Sequence, residues 1–586
     1  MNVKSNYTNI TNGTAKCKHC ERIIKTSGNS SNLSSHLRNK HSEIFATCGQ
    51  KKLSATFDKV VTISESFKSA AAFKENGHKT KEISEAIIYM ICKDNMPVRC
   101  VEKEGLRGLL KKCVPHFKMP SRSTVTTMIE EKYIQCVGAV VKILSSVQDF
   151  AFTCDAVTIP NSTRSFLTIT AHFIANDSLN AICLAASRMD QSHTSDYVSF
   201  LLEETCAEFQ IDAIKWTTLT TDSASNMKCA SKLFLGVNKH VPCFAHSINL
   251  VVDATIKEIS SFSTIVDKIK RVVMHFKHSP AMMDQLRKAQ TNEGTPEGKI
   301  KTLIQNVDTR WNSCLDMMES FSGLANKVAL ILLQKSERVK GLPEMLNVSE
   351  LTICRDLCSL LQPFKKATEQ ISGENYVTVS LVIPLISMLA DKVIALKMET
   401  IEGMRAKEAL IRISEKKFQP FKKNPILVKS TFLDPRFKKM YLEPLTVKDA
   451  IRDISIEINN FTVEGRVSDV AKPDDVFDDF MSSHNSSILK EVRSASEENK
   501  ELKLYFSLPQ AAWESNPLDV WKSHKATMPG LYKVALKHLI TPGSSVPSER
   551  LASAIKCVVC DARSRMTDRH IKQRVFLKSL SPKYWV

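Results

Sequence analysis

Long apolar runs are missing from this chain of 586 residues. The best of them, Ser380 to Leu396, is broken by Pro384, Asp391 and Lys392, so no segment is suited to span a membrane. The opening MNVKSNYTNI has no apolar stretch of the kind a secretory signal requires. Without one, the 17 cysteines are not expected to pair as disulfides. They are expected as reduced thiols in the cytosol or nucleus, and the sequons at Asn6, Asn9 and Asn12 as accidental. Acidic charge is also short: the formal net charge is +19. Nine Lys or Arg stand against three Asp or Glu between Lys16 and Lys59, and eleven against three between Lys533 and Lys583. Basic ends on a chain of ordinary apolar content point to a polyanion such as nucleic acid, although a merely solvated basic surface has the same counts.

What is present begins with Cys17, Cys20, His36 and His41, spaced C-x2-C-x15-H-x4-H. Two thiolates on a tight turn and two imidazoles on one helix suit tetrahedral zinc. Gly28 serves the intervening turn, Ser30, Ser31 or Asn32 the helix start, and Leu33 with Leu37 the only apolar face, a mini-core that needs the metal to fold. His19 lies between the cysteines and is not expected to be a ligand. The stretch SGNSSNLSSHLRNKH resembles a BED-type zinc finger. The resemblance implies a helix in the DNA major groove, with Ser31, Asn32, Ser35, Arg38 and Asn39 as candidate DNA contacts. The family carries aromatic residues ahead of the first cysteine, and here there is only Tyr7. A clipped finger is the expectation.

Beyond a linker at 46–75, helical spacing runs over 76–145, punctuated by Pro97, Pro115 and Pro120. The period then changes to two. Strands are expected at Asp149 to Thr158, Arg164 to Ile174 and Leu179 to Ser187, with turns at Pro160-Asn161 and Asn176-Asp177. A helix from Ser195 to Phe209 and a strand from Trp216 to Thr221 follow. Asp155 lies within the first strand and Asp222 just beyond the last. Side by side, their carboxylates would share a divalent metal; as isolated turn or cap residues they would not. Three antiparallel strands, a helix and a further strand is the order of an RNase H-like core.

Cys243 and His246 stand three apart at the entry to a helix. Asp308-Thr-Arg310-Trp311 sets a candidate phosphate clamp beside a stacking ring. A long helical segment without a catalytic cluster follows, containing TFLDPRFKKMY and, at 464–500, an acidic loop-like stretch. At the end, Ser548 is read as the cap of a helix with Glu549 in its first turn, and Ile571, Val575, Phe576 and Leu580 as a dimer seam. Cys557 and Cys560 have no partner pair and are read as buried helix residues.

Taken together, FTCDAVT, RSFLTITAHFI, LTTDSASNM, the C-x-x-H, Arg310-Trp311, TFLDPRFKKMY and SSVPSER with RSRM and FLKS resemble the hAT-superfamily transposases over nearly the whole chain. The family's pattern makes Asp155, Asp222 and Glu549 a catalytic triad for Mg²⁺, gives Cys243 and His246 a DNA-end or active-site role and Arg310 and Trp311 a role at a flipped base near the DNA end, and makes the C-terminal region dimerise. It departs at Val157 (a usual Trp), Ala552 (a usual Phe) and Ile555-Lys556 (a usual Ala-Gly). The expected fold is multidomain α+β. It comprises a finger at 14–45, a helical DNA-binding or assembly region at 76–145, and an RNase H-like core opening at 146–323. An all-α insertion at 324–530, and the end of the RNase H-like core with a C-terminal helical dimerisation region at 531–586, complete it. The expected function is a DNA-binding, dimerising nuclear regulator; the alternative is an active transposase. Retention of all three acids favours the second, and the departures favour the first.

Overall fold

The computed structural model describes all residues except 1–2, 12, 27–29, 49–71, 75–76, 160–163, 308–310, 337–340, 465–498, 560–565 and 586. Gly28, Pro160, Asn161, Arg310, Cys560 and most of the acidic stretch at 464–500 therefore lie outside the described residues. The chain divides into two compact units, Met1–Ala86 with Glu104–Met119, and Ile87–Lys103 with Pro120–Val586. The division cuts through the helical region expected at 76–145.

In the first unit, β1 (Tyr7–Thr11), β2 (Thr14–Cys17) and β3 (Ile23–Lys25) form a small antiparallel sheet. A helix, Ser31–Lys40, packs on it through Leu33 and Leu37. Tyr7, Ala15 and Cys17 complete the mini-core, with Val3, Ile24, Ile44 and Phe45 around it. The Tyr7 hydroxyl donates to the Leu33 carbonyl at 2.8 Å. Tyr7 supplies the aromatic anchor, and Phe45 adds a second from beyond the last ligand. Such a core is far too small to stand alone, which is why the metal is needed.

The second unit is built on a five-stranded sheet, β4 (Phe150–Ile159), β5 (Arg164–Ala175), β6 (Ser178–Met189), β7 (Trp216–Thr221) and β8 (His240–Pro242). The order is β6-β5-β4-β7-β8. The pairs β4/β5 and β5/β6 are antiparallel, and β4/β7 and β7/β8 are parallel. Asn176 and Asp177, both at positive φ (52° and 56°), close the β5–β6 hairpin, as a twisted two-residue turn demands. The central strand β4 is buried on both faces from Phe150 to Cys154, since helices cover the sheet. One of those is Ser195–Glu208, capped by Thr194. Another, Ser225–Leu235, is tied to β7 by stacking of Phe234 on Trp216, centroids 4.3 Å apart. Strand β8 lies where only a helix entry was expected.

Helices then run from Phe244–Glu258 to Pro529–Leu539 around one large core in which Trp521, Tyr505, Phe262, Phe321 and Phe364 are fully buried. The position expected to open the all-α insertion, 324, falls in the turn between helices Trp311–Ser322 and Ala325–Ser336. Buried Asp434 pairs with Arg436 at 2.8 Å after Phe432, and Phe432 and Phe437 are anchored in the core. Among the described residues no helix is long and apolar enough to cross a membrane.

The last helices, Val546–Val558 and Asp568–Ser579, return to the sheet. Here three expectations are corrected. Ile571, Val575, Phe576 and Leu580 are at most 2% exposed. They pack inside the protomer, Ile571 and Val575 against Phe166 and Cys183, so they are no exposed seam. Ser545, not Ser548, is the residue before the helix, and Ser548 is buried in its first turn. Cys557 is exposed instead of buried.

Candidate metal centres and nucleic-acid face

The finger's ligands come from three elements. Cys17 ends β2, and the turn that follows bends back through Glu21 at φ 58°, with its N–H donating to the Cys17 carbonyl at 2.9 Å. Cys20 lies on that turn, His36 in the helix, and His41 at its C-terminal cap. The ligand atoms of Cys17, Cys20, His36 and His41 all lie within 4.8 Å of one another. Cys20 Sγ is 3.3 Å from His36 Nε2. His41 Nε2 is buried and has no protein partner among the described residues, as an atom reserved for a metal would be. Burial, then His41, Arg22 and Lys40, hold His36 below the usual imidazole range, which keeps it neutral as ligation requires. The donor set and its spacing fit Zn²⁺. His19 instead pairs with Asn6 Oδ1 at 3.0 Å.

Ser31, Asn32, Ser35, Arg38 and Asn39 are all exposed, on the side of the helix away from buried Leu33 and Leu37. Two of them are held. Asn32 Nδ2 donates to the Lys25 carbonyl at 3.0 Å, and the Arg38 guanidinium lies over the Phe45 ring, 5.0 Å from its centroid.

In the second unit, Thr153 of β4 is level with Thr220 of β7 in the parallel register. Two residues further, Asp155 comes level with Asp222, just beyond the strand end. Asp222 Oδ1 accepts from the Ala224 N–H at 3.2 Å, so this carboxylate also shapes the turn into the next helix. Asp155 is half-buried, and its carboxyl is pushed up to about 7. Burial is the largest cause, then the charge of Glu549, then that of Asp222; the Ala156 N–H and Lys556 pull the other way. Glu549 stands exposed in the first turn of Val546–Val558. The three acids thus sit within electrostatic reach of one another. Their oxygens do not close to 4.8 Å as the finger's ligands do.

A strap at 541–548 delivers Glu549 to this place. Thr218 and Thr541 hydroxyls meet at 2.9 Å, and Thr220 Oγ1 donates to the Pro542 carbonyl at 2.9 Å. On the strap's other side the Gly543 N–H donates to Thr378 Oγ1 at 3.0 Å and Ser544 Oγ to the Ile371 carbonyl at 2.9 Å. A side chain at Gly543 would meet Ile371 at 2.7 Å and the Thr378 carbonyl at 2.9 Å, so this close approach needs glycine. Cys243 is fully buried; its Sγ accepts from the Ser545 N–H at 3.2 Å and the His246 N–H at 3.4 Å. Burial and Glu549 push its thiol up to about 11. It is a neutral peg for the strap, closed to any DNA end, while His246 is half-buried on the same helix. Trp311 is only 7% exposed and opens a core helix. Its indole borders a cavity of about 210 Å³ with Asp253, Asp267 and Lys257. Sequence reading passed over Thr153, Thr168 and His172, and read Ser548 only as a helix cap; the threonines of β4, β5 and β7 were the available signal.

A zinc-finger chain with a mixed sheet, a helical block and a C-terminal return to the sheet is thus defined by its geometry. Three family descriptions match it: BED zinc finger over residues 2–42, ZBED1 RNase-like helical domain over 241–360, and hAT family C-terminal dimerisation region over 501–581. The chain is 24% identical over 605 residues to human "Zinc finger BED domain-containing protein 4", covering 96% of this chain and 50% of that protein. It is 25% identical over 527 residues to "Putative AC transposase" of Zea mays, covering 82% of this chain and 63% of that protein. Human "Zinc finger BED domain-containing protein 6" is 24% identical over 53% of this chain and 32% of its own length. The chain therefore spans roughly half to five-eighths of the length of the first two of these relatives. It is a homologue of BED zinc-finger proteins and of hAT transposases.

Proposed function

We propose that the chain is a DNA-binding, dimerising protein of transposase descent that acts in the nucleus as a regulator of transcription, on an RNase H-like core. The finger carries this reading: four assembled ligands fix a helix whose outward face is polar and basic. Zinc supplies a fold for that helix, and Arg38, resting on Phe45, offers a guanidinium to a base edge or phosphate. In this reading the helical region at 76–145, which the two compact units share, and the C-terminal region at 531–586 serve assembly. Titration of random and selected duplexes tests it. Affinity is expected to fall steeply with salt, and Arg38→Ala to lose about 1–3 kcal/mol if it reads a base. A flat salt response counts against DNA as the partner.

A second reading, an active transposase, is favoured by one observation: Asp155, Asp222 and Glu549 share one electrostatic site. A half-buried carboxyl facing two others, with Lys556 only partly offsetting them, is held up to about 7, and a divalent cation such as Mg²⁺ would relieve that repulsion. When bound, Mg²⁺ supplies an activated oxygen nucleophile and stabilises the leaving oxygen in phosphodiester exchange. In this reading Asp155, Asp222 and Glu549 would hold the ion, and His246, Arg310 and Trp311 would serve the DNA end. Cleavage of DNA ends with Mg²⁺, lost in Asp222→Ala, is the expected result.

A further inference from the structure

We propose that Thr168 is a positioning residue that sets Glu549 against Asp155, with Ser548 and Thr153 completing the clip. The proposal deepens the acidic-site reading above and rests on it. Thr168 of β5 faces Asp155 of β4 across the antiparallel register. Its hydroxyl lies 2.9 Å from the Asp155 carbonyl and 3.2 Å from the Ser548 carbonyl, so one proton is shared between the backbones of both acid-bearing segments. Ser548 is the residue directly before Glu549. Its own hydroxyl meets Thr153 Oγ1 at 2.7 Å and Thr170 Oγ1 at 3.5 Å, and Thr153 in turn meets His172 Nε2 at 3.2 Å.

Every member of this network is buried, with Thr153, Thr168 and Ser548 at 0% exposure. Burial holds His172 down to about 3, so it stays a neutral hydrogen-bonding partner at physiological pH. Apolar side chains would cover this face of the sheet as well and would leave no hydroxyl to satisfy. What the hydroxyls add is direction. They fix the first turn of Val546–Val558 in both translation and rotation on the sheet, and Glu549 projects from that turn. Partners that orient metal ligands are worth about 10- to 100-fold in metal affinity; here the orientation acts through the backbone carbonyls of Asp155 and Ser548.

The test uses the full chain and Mn²⁺ as probe, read by electron paramagnetic resonance. Thr168→Val keeps the shape and removes the hydroxyl; Thr168→Ser keeps the hydroxyl. Mn²⁺ affinity is expected to fall about 10-fold or more in Thr168→Val and to recover in Thr168→Ser, with the finger's zinc content unchanged in both. Ser548→Ala, a smaller change, is the second variant and is expected to weaken Mn²⁺ in the same direction. Amide exchange at residues 545–552, measured without Mn²⁺, should speed up in Thr168→Val and recover in Thr168→Ser. Unchanged exchange together with unchanged Mn²⁺ affinity overturns the positioning role. A wild-type chain that takes up no Mn²⁺ overturns the acidic-site reading instead, and the exchange measurement then decides the clip by itself.

Discussion

Val157 of β4 and Ile555 of the helix that carries Glu549 are buried in one small cluster, 7% and 0% exposed, with Phe166, Leu551, Ala552 and Ile571 around them. Three departures from the hAT pattern, at 157, 552 and 555, are therefore neighbours in a single core. Val157, Ala552 and Ile555 thus share one packing volume, and a larger side chain at 157 competes for the space that Ile555 fills. Val157→Trp is expected to overpack this cluster and cost about 1–3 kcal/mol. Ile555→Ala should restore part of that loss, a coupling of roughly 0.5–3 kcal/mol. Melting temperatures of the two single variants and the double variant check it; strict additivity would mean that the two sites do not share space.

Zinc should be present at about one ion per chain, set by the four-ligand site. Cys17→Ser is expected to remove the ion and unfold residues 3–48, while Cys243→Ser should leave metal content intact, because the Cys243 thiol serves only backbone N–H groups. Atomic absorption and proteolysis of the finger read the two effects separately.

The acidic site and the sheet interior depend on pH with opposite signs. The Asp155 carboxyl sits at about 7 in the fold against an ordinary 3.8. The folded state therefore holds its proton longer, and stability falls as pH rises from about 4 through 7. His172 sits at about 3 against 6.5, so its contribution is full above 6.5 and is lost as pH falls toward 3. Asp155→Asn should accordingly melt higher than wild type at pH 8 and lose that advantage near pH 4. Mn²⁺ should raise the wild-type melting temperature at pH 8 and not at pH 5, and an equal rise at both would place the ion elsewhere.

Phe576 touches Tyr133 edge to face, centroids 5.2 Å apart, and is 1% exposed. Phe576→Ala is expected to cost about 3–5 kcal/mol of protomer stability. Deleting 533–586 should yield an unfolded second unit and not a folded monomer. Light scattering alone would misread that result, so thermal unfolding must accompany it. A stable, monomeric Phe576→Ala protein would restore the exposed-seam reading.

The strands were legible because their cues are local. Trp216–Thr221 was read to the residue, and β4 to within one residue at each end. Strand β8 was missed because three residues ending in Pro242 carry no period and Pro marks a sheet edge. The C-terminal helices show the complementary limit. Their spacing marks Ile571, Val575, Phe576 and Leu580 as buried, but a period cannot say whether the covering surface belongs to the same chain. The meeting of Glu549 with Asp155 was visible only through family resemblance, since 327 positions (549 minus 222) separate Glu549 from the nearer acid in sequence. Nothing local in PGSSVPSER announces a strap; the threonines that grip it lie on strands read for their β propensity alone.

That strap has a consequence for the order of assembly. It is wedged between Thr218 and Thr220 on one side and Ile371 and Thr378 on the other, so its seat exists only after the intervening helices have docked on the sheet. The two aspartates can come together early, from strands close in sequence. The glutamate must wait for the intervening helices to find their places. During synthesis the chain would thus pass through a long interval with a folded sheet and an incomplete acid set, and any chemistry needing all three carboxylates would be silent until the helical block was in order.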